Sequence, residues 1–109
     1  EVTVHVDTEQ EPMYELLPQK AIREVARLMT KMEGGNGGKH ESGAWKKMNV
    51  TCHLSHLYDH LMLCSSYEDG GFDGNNLDDE SGMSHLAHLA ARALMALEVW
   101  MEQQDKSWE

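Results

Sequence analysis

His53-Leu54-Ser55-His56-Leu57-Tyr58-Asp59-His60-Leu61-Met62 and His85-Leu86-Ala87-His88-Leu89-Ala90-Ala91-Arg92-Ala93-Leu94 are two versions of one pattern. Each reads His-Leu-small-His-Leu, followed three residues later by a titratable or cationic side chain. At about 100° per residue on an α-helix, positions i, i+3 and i+7 fall within roughly 60° of one another. His53, His56 and His60 therefore form one stripe, and His85, His88 and Arg92 form a second. Apolar residues flank both: Leu54, Leu57 and Leu61 in the first copy, Leu86, Ala90 and Ala93 in the second. An internal repeat of one helix predicts a pseudo-symmetric, antiparallel pair packed through those apolar faces. The two histidine stripes would then border the same groove.

Around this pair the chain reads as helical. Pro18 suits the first turn of a helix, and Ile22, Val25, Ala26 and Met29 recur on one face after it. That helix, 18–32, stops at Glu33-Gly34-Gly35-Asn36-Gly37-Gly38, which cannot continue it cheaply. No strand leads into this glycine run and no Gly-Lys-Ser/Thr closes it, so it is a connection and not a phosphate loop. The second helix spans 45–65, starting at Trp45 or Met48. The third spans 82–103, starting after Ser81-Gly82 or with Ser84 as N-cap, and carries Leu86, Ala90, Ala93, Leu94, Leu97 and Met101 on its apolar face. Between them Tyr67–Asp79 is a long acidic loop whose Asp/Asn/Gly alternation lacks the ligand spacing of a calcium loop. Val2, Val4 and Val6 alternate with polar residues, so 1–15 is an extended arm or a strand. The fold class is all-α: one domain, 1–109, with three main helices.

Composition narrows the function. Nineteen acidic against nine basic residues give a formal charge of -10, which excludes a surface that coats DNA or RNA, since such surfaces neutralise phosphates with Lys and Arg. No apolar run approaches the ~20 residues that cross a bilayer, and no signal-peptide pattern opens the sequence. Cys52 and Cys64 lie twelve residues apart in one helix, about 18 Å and beyond disulfide reach, and read as reduced thiols of a cytoplasmic protein. In 109 residues, three amphipathic helices and eight methionines leave apolar surface that a lone unit can hardly cover. A homodimer or homotetramer is expected.

Five of the seven histidines fall in the repeat. One His beside an apolar stripe is ordinarily a boundary residue with a hydrogen-bond partner. Duplicated His-x-x-His pairs, with Asp59 next to His60, predict a shared functional groove. Imidazole and carboxylate suit a divalent ion such as Mn, Co, Zn or Ni. Direct phosphate binding by His and Arg92 is the competing chemistry, and spacing leaves both open.

Three stretches are similar to a known family. Leu16-Leu17-Pro18-Gln19-Lys20-Ala21-Ile22-Arg23-Glu24-Val25-Ala26 resembles the "LLP-x-x-A-x-x-x-V-A" opening of the phage dATP/dGTP diphosphohydrolase N-terminal family. Asp79-Glu80-Ser81-Gly82-Met83-Ser84-His85-Leu86-Ala87-His88-Leu89-Ala90 resembles its "D-x-E-S/T-G-x-x-H-L-A-H-A" signature. Asp59-His60-Leu61 stands where the family has "R-H-L", and Trp45 resembles the family's tryptophan.

The resemblance implies an oligomeric, MazG-like protein of the host cytoplasm that splits purine (deoxy)nucleoside triphosphates into monophosphate and pyrophosphate. It implies a divalent metal, Mg²⁺, Mn²⁺ or Co²⁺. Glu80, His85 and His88 would belong to the site, with His60 supplied by the facing helix. On this reading His60, His85, His88, Glu80 and Asp59 hold metal, and Glu80, Asp79 and Arg92 act in catalysis. His53, His56, Arg92, Lys39 and Trp45 bind the nucleotide. MazG-like enzymes carry Glu-x-x-Glu on one helix, whereas this chain has none, and its lone Glu-x-x-Asp is Glu102–Asp105, so oxygen ligands would come from Asp59, Asp78, Asp79 and Glu80. The alternative is a protein on the same scaffold that holds a nucleotide or cyclic nucleotide without cleaving it.

Overall fold

Pro18 has extended backbone (φ -70°, ψ 102°) and caps the first helix, α1, Gln19–Glu33. The computed structural model describes residues 10–34, 43–64 and 77–106. Among these there are three α-helices, two short 3-10 turns (Tyr14–Leu16 and Ala44–Lys47) and no strand. The Val2/Val4/Val6 segment, Lys39 and most of the glycine-rich and acidic loops lie outside the described residues. α1 ends at Gly34, whose N–H donates to the Thr30 carbonyl at 2.8 Å. A Cβ at residue 34 would stand 2.5 Å from that carbonyl oxygen, so only glycine fits.

The second helix does not run unbroken from 45. The 3-10 turn Ala44–Lys47 stands apart, and α2 is Val50–Cys64. Asn49 makes the break: its Oδ1 accepts the Cys52 N–H at 2.7 Å, so the helix is started afresh by a side-chain cap. The third helix, α3, is His85–Lys106, beginning three residues later than the 82–103 reading. Ser84 Oγ accepts the N–H groups of Leu86 (2.9 Å) and Ala87 (3.2 Å). None of these helices is long and apolar enough to cross a membrane.

α2 and α3 make the main helix contact, and α1 packs on α3. On α2 the shielded positions Val50, His53, Leu57, His60 and Cys64 follow a three-four rhythm. On α3 the same rhythm runs through His85, His88, Arg92, Met95 and Val99. His60 meets His85 and His53 meets Arg92, so the pairing order reverses from one helix to the other. The core beside this seam joins Val25 and Leu28 of α1 to Met83, Ala87, Ala91 and Met95. The short alanines let α1 approach α3 closely. Both cysteines are free thiols, and burial pushes that of Cys64 up in pKa.

This seam corrects the expected packing. The leucine faces do not meet: Leu54, Leu61, Leu86, Leu94, Leu97 and Met101 are all 40% exposed or more. Of Leu54, Leu57 and Leu61, the leucines expected on the apolar face of α2, only Leu57 turns partly inward. Each exposed leucine follows a seam residue by one or two positions, and a single step rotates the side chain by about 100° around the helix. The histidine stripes thus lie in the seam, and the leucines beside them point out.

Ser84 Oγ accepts the Leu86 N–H and shares the Ala87 N–H with its own carbonyl, so Ser84→Ala should destabilise the protein by about 1 kcal/mol, read as a lower denaturation midpoint by circular dichroism. An unchanged midpoint would show that water replaces the cap without loss.

Candidate functional site

A tight turn before α3 builds one wall of the site. Leu77 bridges Ser84, the Asp78 N–H donates to the Met83 carbonyl (2.8 Å), and the Gly82 N–H to the Asp78 carbonyl (2.7 Å). Closing this turn puts Gly82 at φ +72°, a left-handed conformation that costs a residue bearing Cβ. The Asp78 carboxylate is fixed inside the turn. Its Oδ2 accepts the N–H groups of Ser81 (2.8 Å) and Glu80 (3.1 Å). Buried Ser81 accepts the Met83 N–H through Oγ at 3.1 Å, and the same oxygen lies within hydrogen-bond distance of His88 Nε2 at 2.6 Å. His88 Nε2 also lies 3.6 Å from Asp78 Oδ2.

His60 joins this wall from α2. Its Nδ1 is 2.8 Å from His85 Nδ1, and its ring stacks on His88 with centroids 4.4 Å apart. One nitrogen of the His60–His85 pair must donate and the other accept, so the contact excludes two doubly protonated rings. Burial, then repulsion from His88 and His85, lowers the His60 pKa to about 4. Burial likewise lowers His88 against the pull of Asp78, and lowers His56 with help from Arg92. Burial pushes the Asp78 carboxyl up, but the Ser81 N–H, His88 and the Ser81 hydroxyl outweigh it and hold it below the usual carboxylate range.

Lone pairs of low proton affinity gathered on one point are what a metal site requires. One ligand atom each of His60, Asp78 and His85 lies within 4.8 Å of the others. Two imidazole nitrogens about 2.0–2.1 Å from one ion stand roughly 3–3.4 Å apart. The His60–His85 separation of 2.8 Å needs only a slight spreading to reach that value. Two nitrogens and one oxygen fit a borderline divalent cation.

Beside this group opens a cleft of about 480 Å³. Its floor is apolar and soft: Leu28, Met29, Met32, Met48, Ala91 and Met95. Its polar wall holds His56, His60, Asp78, Glu80, His88 and Arg92, and Glu33 lines it from α1. Arg92 is half-buried there. Among the described residues no carboxylate oxygen comes within ion-pair distance of it. Burial lowers its pKa, yet a guanidinium stays protonated throughout the physiological range.

The structure brings together His60, His85, His88, Glu80, His56 and Arg92 of the residues singled out from sequence. Glu80 is exposed at the rim of the cleft. Asp79 is exposed and does not line it, and Asp59 is exposed on α2, where it acts on His56 and stands outside the ligand group. His53 is 0% exposed and cannot touch a solute in the cleft. Trp45 packs its ring against the core and presents its carbonyl to His53. Ser81, Glu33 and Met48 were not among the expected site residues, and Asp78 was expected only as one of several interchangeable oxygen ligands. Asp78 had a readable signal, since an aspartate opening a Ser-Gly turn folds back onto backbone N–H groups.

A family model described as dATP/dGTP diphosphohydrolase, N-terminal, matches residues 3–108. The chain belongs to that family. No curated protein and no solved structure matches the chain significantly. The Ser-Gly and His-x-x-His stretch that carries the resemblance falls on the turn and first helical turns holding Ser81, Gly82, His85 and His88.

The lowered imidazoles make acid destabilising. Between about pH 6.5 and about pH 4 the unfolded chain binds protons that native His60 refuses, so stability rises with pH across that window. Denaturant midpoints should therefore be lower at about pH 5 than at about pH 7. An acid-stabilised protein would mean that the native rings are protonated.

Proposed function

We propose that the chain is a metal-dependent purine (deoxy)nucleoside triphosphate pyrophosphohydrolase, releasing a monophosphate and pyrophosphate. One observation carries the reading. A half-buried guanidinium, with no carboxylate oxygen of the described residues within ion-pair distance, shares a cleft with two members of a His-Asp ligand group. Membership of the dATP/dGTP diphosphohydrolase N-terminal family supplies the substrate class.

His60, His85 and Asp78 would hold Mn²⁺ or Co²⁺, ions that accept imidazole nitrogen where Mg²⁺ prefers oxygen; the ion when bound would neutralise triphosphate charge and acidify water. Arg92 binds phosphoryl oxygens and stabilises the charge that grows on them. His56, beside Arg92, extends that phosphate contact. The methionine floor takes the base, excluding water from one of its faces. Glu80, at the rim, is the carboxylate placed to accept a proton from incoming water, a position Asp79 does not share. A cleft of this volume falls within the range of small-molecule sites.

A second reading has its own support. The ligand group holds a single carboxylate and the chain has no Glu-x-x-Glu, so a nucleotide or cyclic nucleotide could be held uncleaved. Protonated histidines are poor candidates for that grip, because burial and mutual repulsion favour neutral rings.

Self-association belongs to the same proposal. Leu54, Leu61, Leu86, Leu97 and Trp100 are open to solvent on a 12.3 kDa chain. A second copy covers this surface at no chain-closure cost, and the opposed order of the α2 and α3 pairings supports an antiparallel hairpin as its building block.

Incubation with each dNTP and Mg²⁺, Mn²⁺ or Co²⁺ should release pyrophosphate from dGTP and dATP. His85→Ala should abolish release and weaken metal binding. Metal binding and activity should fade as pH falls and protons compete with the metal for the imidazole nitrogens. Binding without pyrophosphate, insensitive to EDTA, would favour the second reading. Light scattering at micromolar concentration should give a dimer or tetramer mass that Leu61→Glu lowers; a monomer mass for the unmodified chain would remove the self-association.

A further inference from the structure

His53 is the largest side chain wholly removed from solvent, yet it is a polar ring with two nitrogens to satisfy. Both are engaged. His53 Nδ1 lies 2.9 Å from Arg92 Nη1, and Nε2 lies 2.9 Å from the Trp45 carbonyl oxygen. The partners fix the tautomer. A guanidinium nitrogen can only donate and a carbonyl oxygen can only accept, so Nδ1 carries the lone pair and Nε2 carries the hydrogen. Met48 Sδ stands 3.8 Å from the same Arg92 nitrogen and closes that side of the guanidinium.

Buried arginines are usually oriented by a carboxylate, which also cancels their charge. Here an imidazole lone pair does the orienting. Among the described residues no carboxylate oxygen lies within ion-pair distance of Arg92. Its guanidinium is therefore held in place without direct contact to a carboxylate of the described residues, Glu33 acting on it only at longer range, and it lines the cleft.

We infer that His53 is a positioning residue that aims Arg92 at the phosphates while leaving its charge available, and that it never touches the ligand itself. This rests on the nucleotide reading of the cleft and replaces direct nucleotide contact as the role of His53. The 3-10 turn Ala44–Lys47 is the anchor, because its Trp45 carbonyl sets the ring that sets the arginine.

Asparagine and glutamine separate the two halves of the ring. Asn places an acceptor near the Nδ1 position and loses the tie to Trp45; Gln reaches the Nε2 position and leaves Arg92 without its acceptor. Calorimetry on the full chain, with a methylene-bridged dGTP analogue that resists cleavage and with deoxyguanosine, reads the difference. Arg92→Ala and His53→Gln should each weaken the analogue on the order of tenfold or more, the scale of a hydrogen bond to a charged group. Deoxyguanosine, which has no phosphate, should bind the variants and the parent alike. His53→Asn should restore most of the analogue affinity, and His53→Gln added to Arg92→Ala should cost nothing further. A folded His53→Gln that binds the analogue like the parent overturns the inference. So does His53→Asn falling as far as His53→Gln, because burial alone would then account for both. If neither variant folds, nitrogen NMR of the unmodified protein decides: the inference requires protonated Nε2 and bare Nδ1 on His53, and the opposite tautomer defeats it. An unmodified chain that ignores the analogue sinks the nucleotide reading, while the same NMR experiment still tests the His53–Arg92 tie.

Discussion

The helix seam is built from imidazoles, and every ring nitrogen inside it needs a partner. Buried hydrocarbon tolerates small shifts of register, whereas buried polar groups carry a full desolvation penalty once their hydrogen bonds are lost. Among the described residues no buried side-chain nitrogen or oxygen lacks a partner. His53 is satisfied by Arg92 and the Trp45 carbonyl, His60 by His85, and His88 by Ser81. Sliding α2 along α3 by one turn would break the two that cross the seam, His60–His85 and His53–Arg92, together. The contacts that assemble the cleft wall therefore also hold the two helices in register.

The helices themselves were legible because their signals are local. Pro18 and the Gly34 stop bracket α1, and Ser84 caps α3, each acting within one turn of its own position. The faces were not legible in the same way. A leucine stripe beside a histidine stripe invites the assignment of leucine to the inside, since hydrophobicity alone ranks it so. What reversed the order is collective: alanines at 87 and 91 make room for α1, and Arg92 and Ser81 supply partners that a histidine can use. A side chain's partners lie far away in sequence, and a helical wheel does not contain them.

The candidate site shows the same division. His60, His85, His88 and Arg92 stood out because the repeat pairs them, and the structure gathers them. Among the acidic residues sequence offered Asp59, Asp79 and Glu80 as equals of Asp78, and only backbone geometry separates them. Asp78 is turned inward by the Ser81 and Glu80 N–H groups, while Asp79, the very next residue, faces solvent. The interplay of Glu33 and Met48 with the cleft depends on how α1 and the Ala44–Lys47 turn settle against α3, which no single stretch of sequence encodes.

Four of the residues beneath the cleft are methionines, from α1, from α3 and from the residue that follows the 3-10 turn. Thioether chains are unbranched, polarisable and rich in rotamers, so such a floor moulds itself to whatever flat ring rests on it. A branched aliphatic floor would act as a template; this one acts as a cushion. The rigid elements of the cleft are on its polar side, where Asp78 is pinned by backbone N–H groups and His60 and His88 by neighbouring side chains. Discrimination between ligands is therefore concentrated at the end that reads charge and weakest at the end that reads shape. The same cushion is the part of the cleft most open to chemical damage, since conversion of any of these sulfurs to a sulfoxide would put a polar, stiffer group where compliance is needed.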